Sequence, residues 1–429
     1  MSLGNSLDKD PRYRASSKVD EGRLWGRLME LAQCGATPQG GVNRQAFSDA
    51  EVKARALIAR WAEELGFETF VDEVSNFFIR RPGTELTAAP IMTGSHIDTV
   101  PAGGKYDGSY GVIAGLEVLQ ALETSKLKTR RPIEVVIWAN EEGARFSPGQ
   151  MGSGAFVGSR RIGDILSTVD RDGISVSQAL EPILSATPHA KSRPLGTPIV
   201  AAFVEAHIEQ GPELEAASCT IGAVTGIQGR RSFLVDVRGE AAHGGTARQS
   251  TRKDALLASV RMIHELDSLM RDPEDRLRFT IGAFTVKPNA PLVVPAHVHF
   301  TVDVRHPDNA IMESFCNKVE DLRTRNAFGC AVEVIENARA ASISFNETMI
   351  TLIESTASNL GFERMRIYSK AGHDSRELFK VCPTGMVFVP CRNGISHTES
   401  EDATSADLAA GARVLAEVVV ELANQEGIS

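Results

Sequence analysis

The sequence predicts an α/β fold, with a larger domain built on a mixed sheet flanked by helices and a smaller α+β domain inserted into it. Three observations point there. Apolar strand candidates near residues 89–94 and 133–139 bracket a helical stretch, and each runs into polar residues at its carboxyl end. Composition changes over about 218–340, where a strand candidate alternates apolar and polar residues in the manner of a sheet with one buried face. A chain of 429 residues also exceeds the usual size of one compact core. The expected division is 1–217 and 341–429 for the larger domain, with 218–340 inserted.

Taken in chain order, EGRLWGRLMELAQ sets Leu24, Leu28 and Leu31 along one helical face. A second helix is expected from Asp49 to Leu65, where Ser48 and Glu51 have the spacing of a capping box. FETFVD reads as a strand. APIMTG leads into SHIDTVP, a glycine-rich turn and Asp107, and a helix follows with Val112, Leu116 and Leu119 at helical intervals. IEVVIWA is β-branched and apolar, as a strand covered on both faces should be, and it stops at Asn140, Glu141 and Glu142. TPHAKSRPLGTP, residues 187–198, reads as a loop.

In the smaller domain RRSFLVDVRG and AHVHFTVDVRH flank the helix DALLASVRMIHELDSLM, and CAVEVIE offers a further strand. Val298, Phe300, Val302 and Val304 alternate with His299, Thr301, Asp303 and Arg305, so one face is apolar and the other polar. GMVFVP is a last short strand, CRNGISH a loop, and residues 403–423 return to helix.

Composition excludes several classes. At 42% hydrophobic and 24% charged the chain is that of an ordinary globular protein. A net charge of −9, with no Lys/Arg cluster interleaved with aromatics, argues against nucleic acid as a partner. The N-terminal MSLGNSLDKDPRYR has no apolar secretory core and no window approaches a membrane span, so a cytoplasmic, membrane-free protein is expected. The six cysteines show no CxxC spacing; most are expected to be buried small hydrophobes rather than a disulfide framework.

The densest chemical signal is SHIDTVPAGGKYDG. On extended backbone His96 and Asp98 point to one side while Ile97 packs on the other, and Asp107 lies eleven residues after His96. Imidazole and carboxylate together suit a divalent cation, with Asp98 available to orient the ring; a structural hydrogen-bonded pair explains His96 and Asp98 equally well. Glu141 and Glu142 follow the apolar strand. Alone they read as a hydrated loop, but beside cations one can bind metal while the other takes a proton from water, and positive ions relieve the repulsion among the carboxylates. His207 in AHIEQGPELE, His243 in GEAAHGGT, His373 in KAGHDSRE and His397 in NGISHTESE are further candidates that spacing alone does not assign.

Taken together, SHIDTVPAGGKYDGSYGVIAGLE, ANEEGARFSPGQMGSGAFVG, HIEQGPELE, RGEAAHGGT, AGHD and NGISHTE resemble the amidase/hydantoinase/carbamoylase branch of the M20 metallopeptidase-like family, from about Leu24 through residue 420. The resemblance implies that the larger domain is catalytic and the smaller one a lid and dimerisation domain. It implies His96, Asp107, Glu142, His207 and His397 as ligands of two divalent metal ions, with Asp107 bridging them. Glu141 is implied as general base and Asp98 as the carboxylate supporting His96. His243 is implied to support the polarised carbonyl, often across a dimer interface, and Gln210, Asn289 and Arg305 to hold the substrate.

The resemblance further implies binuclear metal-dependent hydrolysis of the ureido amide bond of an N-carbamoyl-L-amino acid, a small carboxylated substrate, with release of the amino acid, ammonia and carbon dioxide. Zinc is preferred from the mixed His and carboxylate set, with manganese, cobalt or nickel open. β-Ureidopropionase and allantoate amidohydrolase are the alternatives, although MGSGAFVG looks more like the carbamoylase segment. A homodimer through the smaller domain is implied. A noncatalytic module on the same fold would lack a ligand or Glu141, and neither is missing.

Overall fold

The computed structural model describes residues 14–196, 199–324 and 327–426. The N-terminal segment read for a secretory core lies outside the described residues except for Arg14. Two compact units form, Met1–Thr225 with Phe345–Ser429, and Gly226–Ser344.

The first unit is built on a large mixed sheet whose centre runs, in spatial order, Thr384–Val389, Ala202–Ile208, Ile91–His96 and Ile133–Trp138, all parallel. Every residue of these strands is buried, which explains their near-continuous apolar sequence. Phe77–Arg81 and then Glu68–Val71 extend the sheet antiparallel on one side, and Ile221–Ile227 pairs antiparallel with Thr384–Val389 on the other. The connecting helix Ser109–Ser125 is apolar nearly all round and buried accordingly, and Ser405–Asn424 packs beside it. Since the four central strands are parallel, their carboxyl ends lie along one edge, and the polar segments that follow them emerge together.

At the expected second helix, Asp49–Glu64, only half of the capping box forms. Ser48 Oγ accepts from Glu51 N at 3.4 Å, but the Glu51 carboxylate turns to Phe47 N (2.5 Å) and to Arg55 Nε and Nη2 (3.0 and 2.8 Å). Both side chains are buried, so their ion pair outcompetes the reciprocal cap. The loop expected at 187–198 contains a two-residue strand, Lys191–Ser192, paired with Glu68–Val71; residues 197–198 lie outside the described residues. All six cysteines are free; Cys316, Cys382 and Cys391 are buried, and the other three are partly exposed.

The second unit is an antiparallel five-stranded sheet. Its central strand His297–His306 pairs with Gly229–Arg238 on one side, and with Arg278–Thr280 and Phe284–Lys287 on the other; Ala331–Ala340 pairs on the far side of Gly229–Arg238. Val298, Phe300, Val302 and Val304 are fully buried beneath the helices Ala255–Leu269 and Asn309–Glu320, while Thr301, Asp303 and Arg305 line the partly exposed face. The helix Asn309–Glu320 escaped the sequence reading, although Asp308 caps it and Met312, Phe315, Cys316 and Val319 recur at helical intervals. No described helix is long and apolar enough to cross a membrane.

Candidate metal centre

The carboxyl edge of the parallel strands brings the separated polar motifs together. His96 is the last residue of its strand and His207 the penultimate residue of the next, with ring centroids 6.1 Å apart. Each ring is fixed by a backbone carbonyl: Asp98 O lies 2.9 Å from His96 Nδ1, and Ile208 O lies 2.9 Å from His207 Nδ1. Both rings therefore present Nε2 toward Asp107, at 3.9 and 3.3 Å from its Oδ1. The other carboxylate oxygen, Oδ2, lies 3.1 Å from His397 Nε2, which is itself 3.6 Å from Glu142 Oε2.

Two groups of potential ligands result, His96/Asp107/His207 and Asp107/Glu142/His397, and within each the donor atoms lie within 4.8 Å of one another. They meet at Asp107, which offers one oxygen to each. A third group, Glu205/His207/His373, shares His207. There, however, Glu205 already accepts from Ser95 Oγ (2.7 Å), Ser375 N (3.1 Å) and Ser375 Oγ (2.6 Å), and His373 Nε2 is taken by Ser369 Oγ at 2.9 Å. His373 packs behind His207, with ring centroids 4.5 Å apart.

The Asp98 carboxylate does not hold His96 by a hydrogen bond. It stands 3.6 Å from His96 Nδ1, and its two oxygens instead accept the backbone N–H groups of Glu141 and Glu142, each at 3.1 Å. Two consecutive amides at a strand's end offer a carboxylate a bidentate grip, which a ring already bonded to a carbonyl does not. Asp98 thus fixes the segment that carries Glu141, whose Oε2 lies 3.7 Å from His96 Nε2. Arg44, fully buried, braces the same loop from behind, donating to Ile97 O (2.7 Å), Leu31 O (3.0 Å), Cys34 O (2.7 Å) and Ser109 Oγ (2.9 Å). Nothing in the local pattern around Arg44 marks it for this work.

Positive φ also occurs at this edge. Asn140, Gln210 and His397 have φ of 50°, 56° and 58°, a region that costs non-glycine residues about 1–2 kcal/mol each. Gly108, at φ 64°, is required outright, because an added Cβ would overlap the His96 ring.

Electrostatics describe a centre built for positive charge. Burial, then the charges of Asp374 and Glu142, push the Glu141 carboxyl well above its ordinary range; burial and then Asp107 do the same to Glu142. Asp98 is pushed up to about 7 by burial and then by Glu51. His96 is driven down to about 4 by burial, which keeps it a neutral donor at pH 7. Burial opposes the charged forms of Asp107 and His207 alike, yet their mutual hydrogen bond and charge prevail, leaving Asp107 well below and His207 above its ordinary value. His397 is raised by its hydrogen bond to Asp107. Glu142 Oε1 is buried with no hydrogen-bond partner among the described residues. An orphaned carboxylate oxygen amid crowded acids and imidazole nitrogens turned toward Asp107 fits divalent cations, which would relieve the repulsion among the carboxylates.

Gln210 donates from Nε2 to Asp107 Oδ2 (2.9 Å) and to Ser396 Oγ (3.2 Å). The remaining expected residues belong to the second unit. His243 is exposed, and its Nδ1 accepts from Gly245 N (3.0 Å) and Thr246 N (3.2 Å), so the ring proton resides on Nε2. Asn289 is exposed with φ 55°. Arg305 donates from Nε to Asp303 Oδ1 at 2.7 Å.

The profile of Peptidase family M20/M25/M40 matches residues 92–421. A curated N-carbamoyl-L-amino-acid amidohydrolase from Rhizobium meliloti is 36% identical over 410 residues, covering 95% of this chain and 97% of that protein. An allantoate amidohydrolase from Bacillus subtilis (strain 168) is 36% identical over 397 residues, 92% of this chain and 95% of that one. Among solved structures, an amidase of the hydantoinase/carbamoylase family from Burkholderia multivorans superposes with a TM-score of 0.86 at 40% identity, covering 95% of this chain and 98% of that one.

Proposed function

We propose that this chain, which belongs to peptidase family M20/M25/M40, is a metal-dependent amidohydrolase that cleaves the ureido amide bond of N-carbamoyl-L-amino acids. The observation that carries the reading is the double use of Asp107, with His96 and His207 facing one carboxylate oxygen and His397 the other. On this reading His96, Asp107 and His207 hold one divalent cation and Asp107, Glu142 and His397 a second. Zinc suits the donor set, and manganese, cobalt or nickel are compatible with it. Bound there, the cations would supply positive charge that activates a water and polarises a carbonyl.

The chain's own residues do the rest. Glu141 takes the proton from the attacking water and returns it to the leaving nitrogen. With one water consumed, the products are the amino acid and a carbamate that decomposes to ammonia and carbon dioxide. Asp98 aims Glu141 through the two amides it binds. His243 donates from Nε2 to the carbonyl oxygen as charge develops there. Arg305 pairs with the substrate carboxylate, for which a guanidinium is the better-shaped partner than an ammonium. Asn289 and Gln210 hold the ureido group, Gln210 through Oε1 while its nitrogen remains on Asp107.

The same proposal takes the smaller unit as a lid and as the site of homodimer formation. The unit exposes the large apolar side chains Leu257, Val260, Phe284, Leu292 and Ile335, and the solution mass of the protein tests the dimer. Allantoate is the second substrate reading, favoured by the equal identity of the Bacillus subtilis relative. A panel of N-carbamoyl-L-amino acids, β-ureidopropionate, allantoate and a dipeptide, each assayed with zinc, manganese, cobalt and nickel, decides among them. Turnover of the carbamoyl amino acids is expected; turnover confined to the dipeptide would overturn the reading, and turnover confined to allantoate or β-ureidopropionate would replace the substrate.

A further inference from the structure

Glu401 has no part in the chemistry above, yet it is buried beside it at 4% exposure. Its Oε1 accepts the backbone N–H groups of Tyr106 (2.9 Å) and Asp107 (3.1 Å), and its Oε2 accepts the hydroxyl of Ser396 (2.7 Å). The Ser396 hydroxyl oxygen accepts in turn from Gln210 Nε2, which also donates to Asp107 Oδ2. These bonds close a ring through Asp107, Glu401, Ser396 and Gln210. It joins the turn that carries Asp107 to the residue immediately before His397. Space is kept for it, because a Cβ at Gly104 would overlap the Glu401 carboxylate.

The two cation positions differ in how their imidazoles are held. His96 and His207 sit on buried strands with Nδ1 tied to a carbonyl. His397 sits on a loop, its side chain 51% exposed and its backbone at φ 58°. A strained, half-exposed loop needs a brace if its ring is to stand 3.1 Å from Asp107.

We propose that Glu401 is a positioning residue that fixes the spacing between His397 and the Asp107 carboxylate, so that the cation position shared by Asp107, Glu142 and His397 is formed in advance of its cation. The proposal rests on the binuclear reading above. The ring acts through hydrogen-bond geometry. A Gln at this position keeps an oxygen for the two amides and an NH2 that Ser396 Oγ can accept, whereas an Ala opens the ring.

The test is zinc titration of the metal-free full-length protein against a chromophoric chelator, resolving two equivalents per chain. In Glu401→Ala one equivalent should weaken by about 10–100-fold, as supporting partners of metal ligands typically do, while the other stays within about twofold. Glu401→Gln should recover most of the loss. Should Glu401→Ala not fold, Ser396→Ala cuts the same ring more gently, and a loss of about two- to tenfold in the same equivalent is expected. Unchanged affinity, an equal loss in both equivalents, or a Gln variant as weak as the Ala variant would each overturn the proposal. A wild type that binds fewer than two equivalents would instead count against the binuclear reading.

Discussion

Replacing Glu141 by Gln tests the chemistry most directly, because the change keeps the side chain's shape while removing its ability to take a proton. Glu141 Oε2 stands 3.7 Å from His96 Nε2, amid the charges of Asp98, Asp107 and Glu142, within reach of the residues that would hold the cations. Loss of a positioned base lowers a rate by about 10²–10⁴-fold. At about 1.4 kcal/mol per tenfold this is about 3–5 kcal/mol of transition-state stabilisation. Hydrolysis of an N-carbamoyl-L-amino acid, followed at matched metal content, should show the loss in kcat, with KM little changed. Stability supplies an independent readout. The Glu141 carboxyl is raised on folding, so the stability associated with it is complete below the unfolded value and is lost as pH rises through the folded one. Gln has no such loss, and the metal-free variant should melt no lower than metal-free wild type at neutral pH. Near-normal turnover by a folded, metal-loaded variant would refute the assignment of Glu141 as base.

Two further outcomes follow from the same geometry. Gly108→Ala places a methyl group into the His96 ring at a φ of 64°, so both zinc affinity and melting temperature should fall, the latter by the equivalent of about 1–3 kcal/mol; a variant that binds zinc and melts like wild type would contradict the packing argument. His207 and His397 are both raised above their ordinary values, so protons compete with cations as pH falls through neutrality, whereas His96, at about 4, does not take part. Zinc affinity measured between about pH 6 and 8 should therefore rise by up to about tenfold per unit for each proton released, and a flat profile would count against these imidazoles as ligands.

Much of the fold is legible because local and tertiary preferences agree. IEVVIW is apolar on both faces because Ile133–Trp138 is covered on both, and the alternation from Val298 to Arg305 survives because its sheet is covered on one. The reading weakens where side chains choose distant partners. Ser48 and Glu51 have the spacing of a capping box, but Arg55, one turn further along the helix, claims the carboxylate. Ile221–Ile227 carries glycines and gives no clear strand signal, yet the neighbouring strand Thr384–Val389 recruits it.

The site divides in the same way. Donor types are legible, because an apolar strand that stops abruptly at His-x-Asp or at Asn-Glu-Glu has its polar residues placed at a sheet's edge by the strand itself. Their pairings are not, since those depend on which strand ends become neighbours. Asp98, two residues from His96, reads as its partner, yet parallel pairing of Ile91–His96 with Ile133–Trp138 brings the Glu141 and Glu142 amides within reach and redirects the carboxylate to them. Glu399 and Glu401 look alike in NGISHTESE; one takes the hydroxyl of Thr37, while the other is buried against the Asp107 turn. Four histidine motifs are likewise equivalent in sequence; the strand order sets His207 against Asp107, the loop beyond Thr384–Val389 brings His397 to it, and His373 lies behind His207 with His243 in the other unit. A linear motif therefore specifies which atoms are available to a cation, and the order of the strands decides which of them can reach the same one.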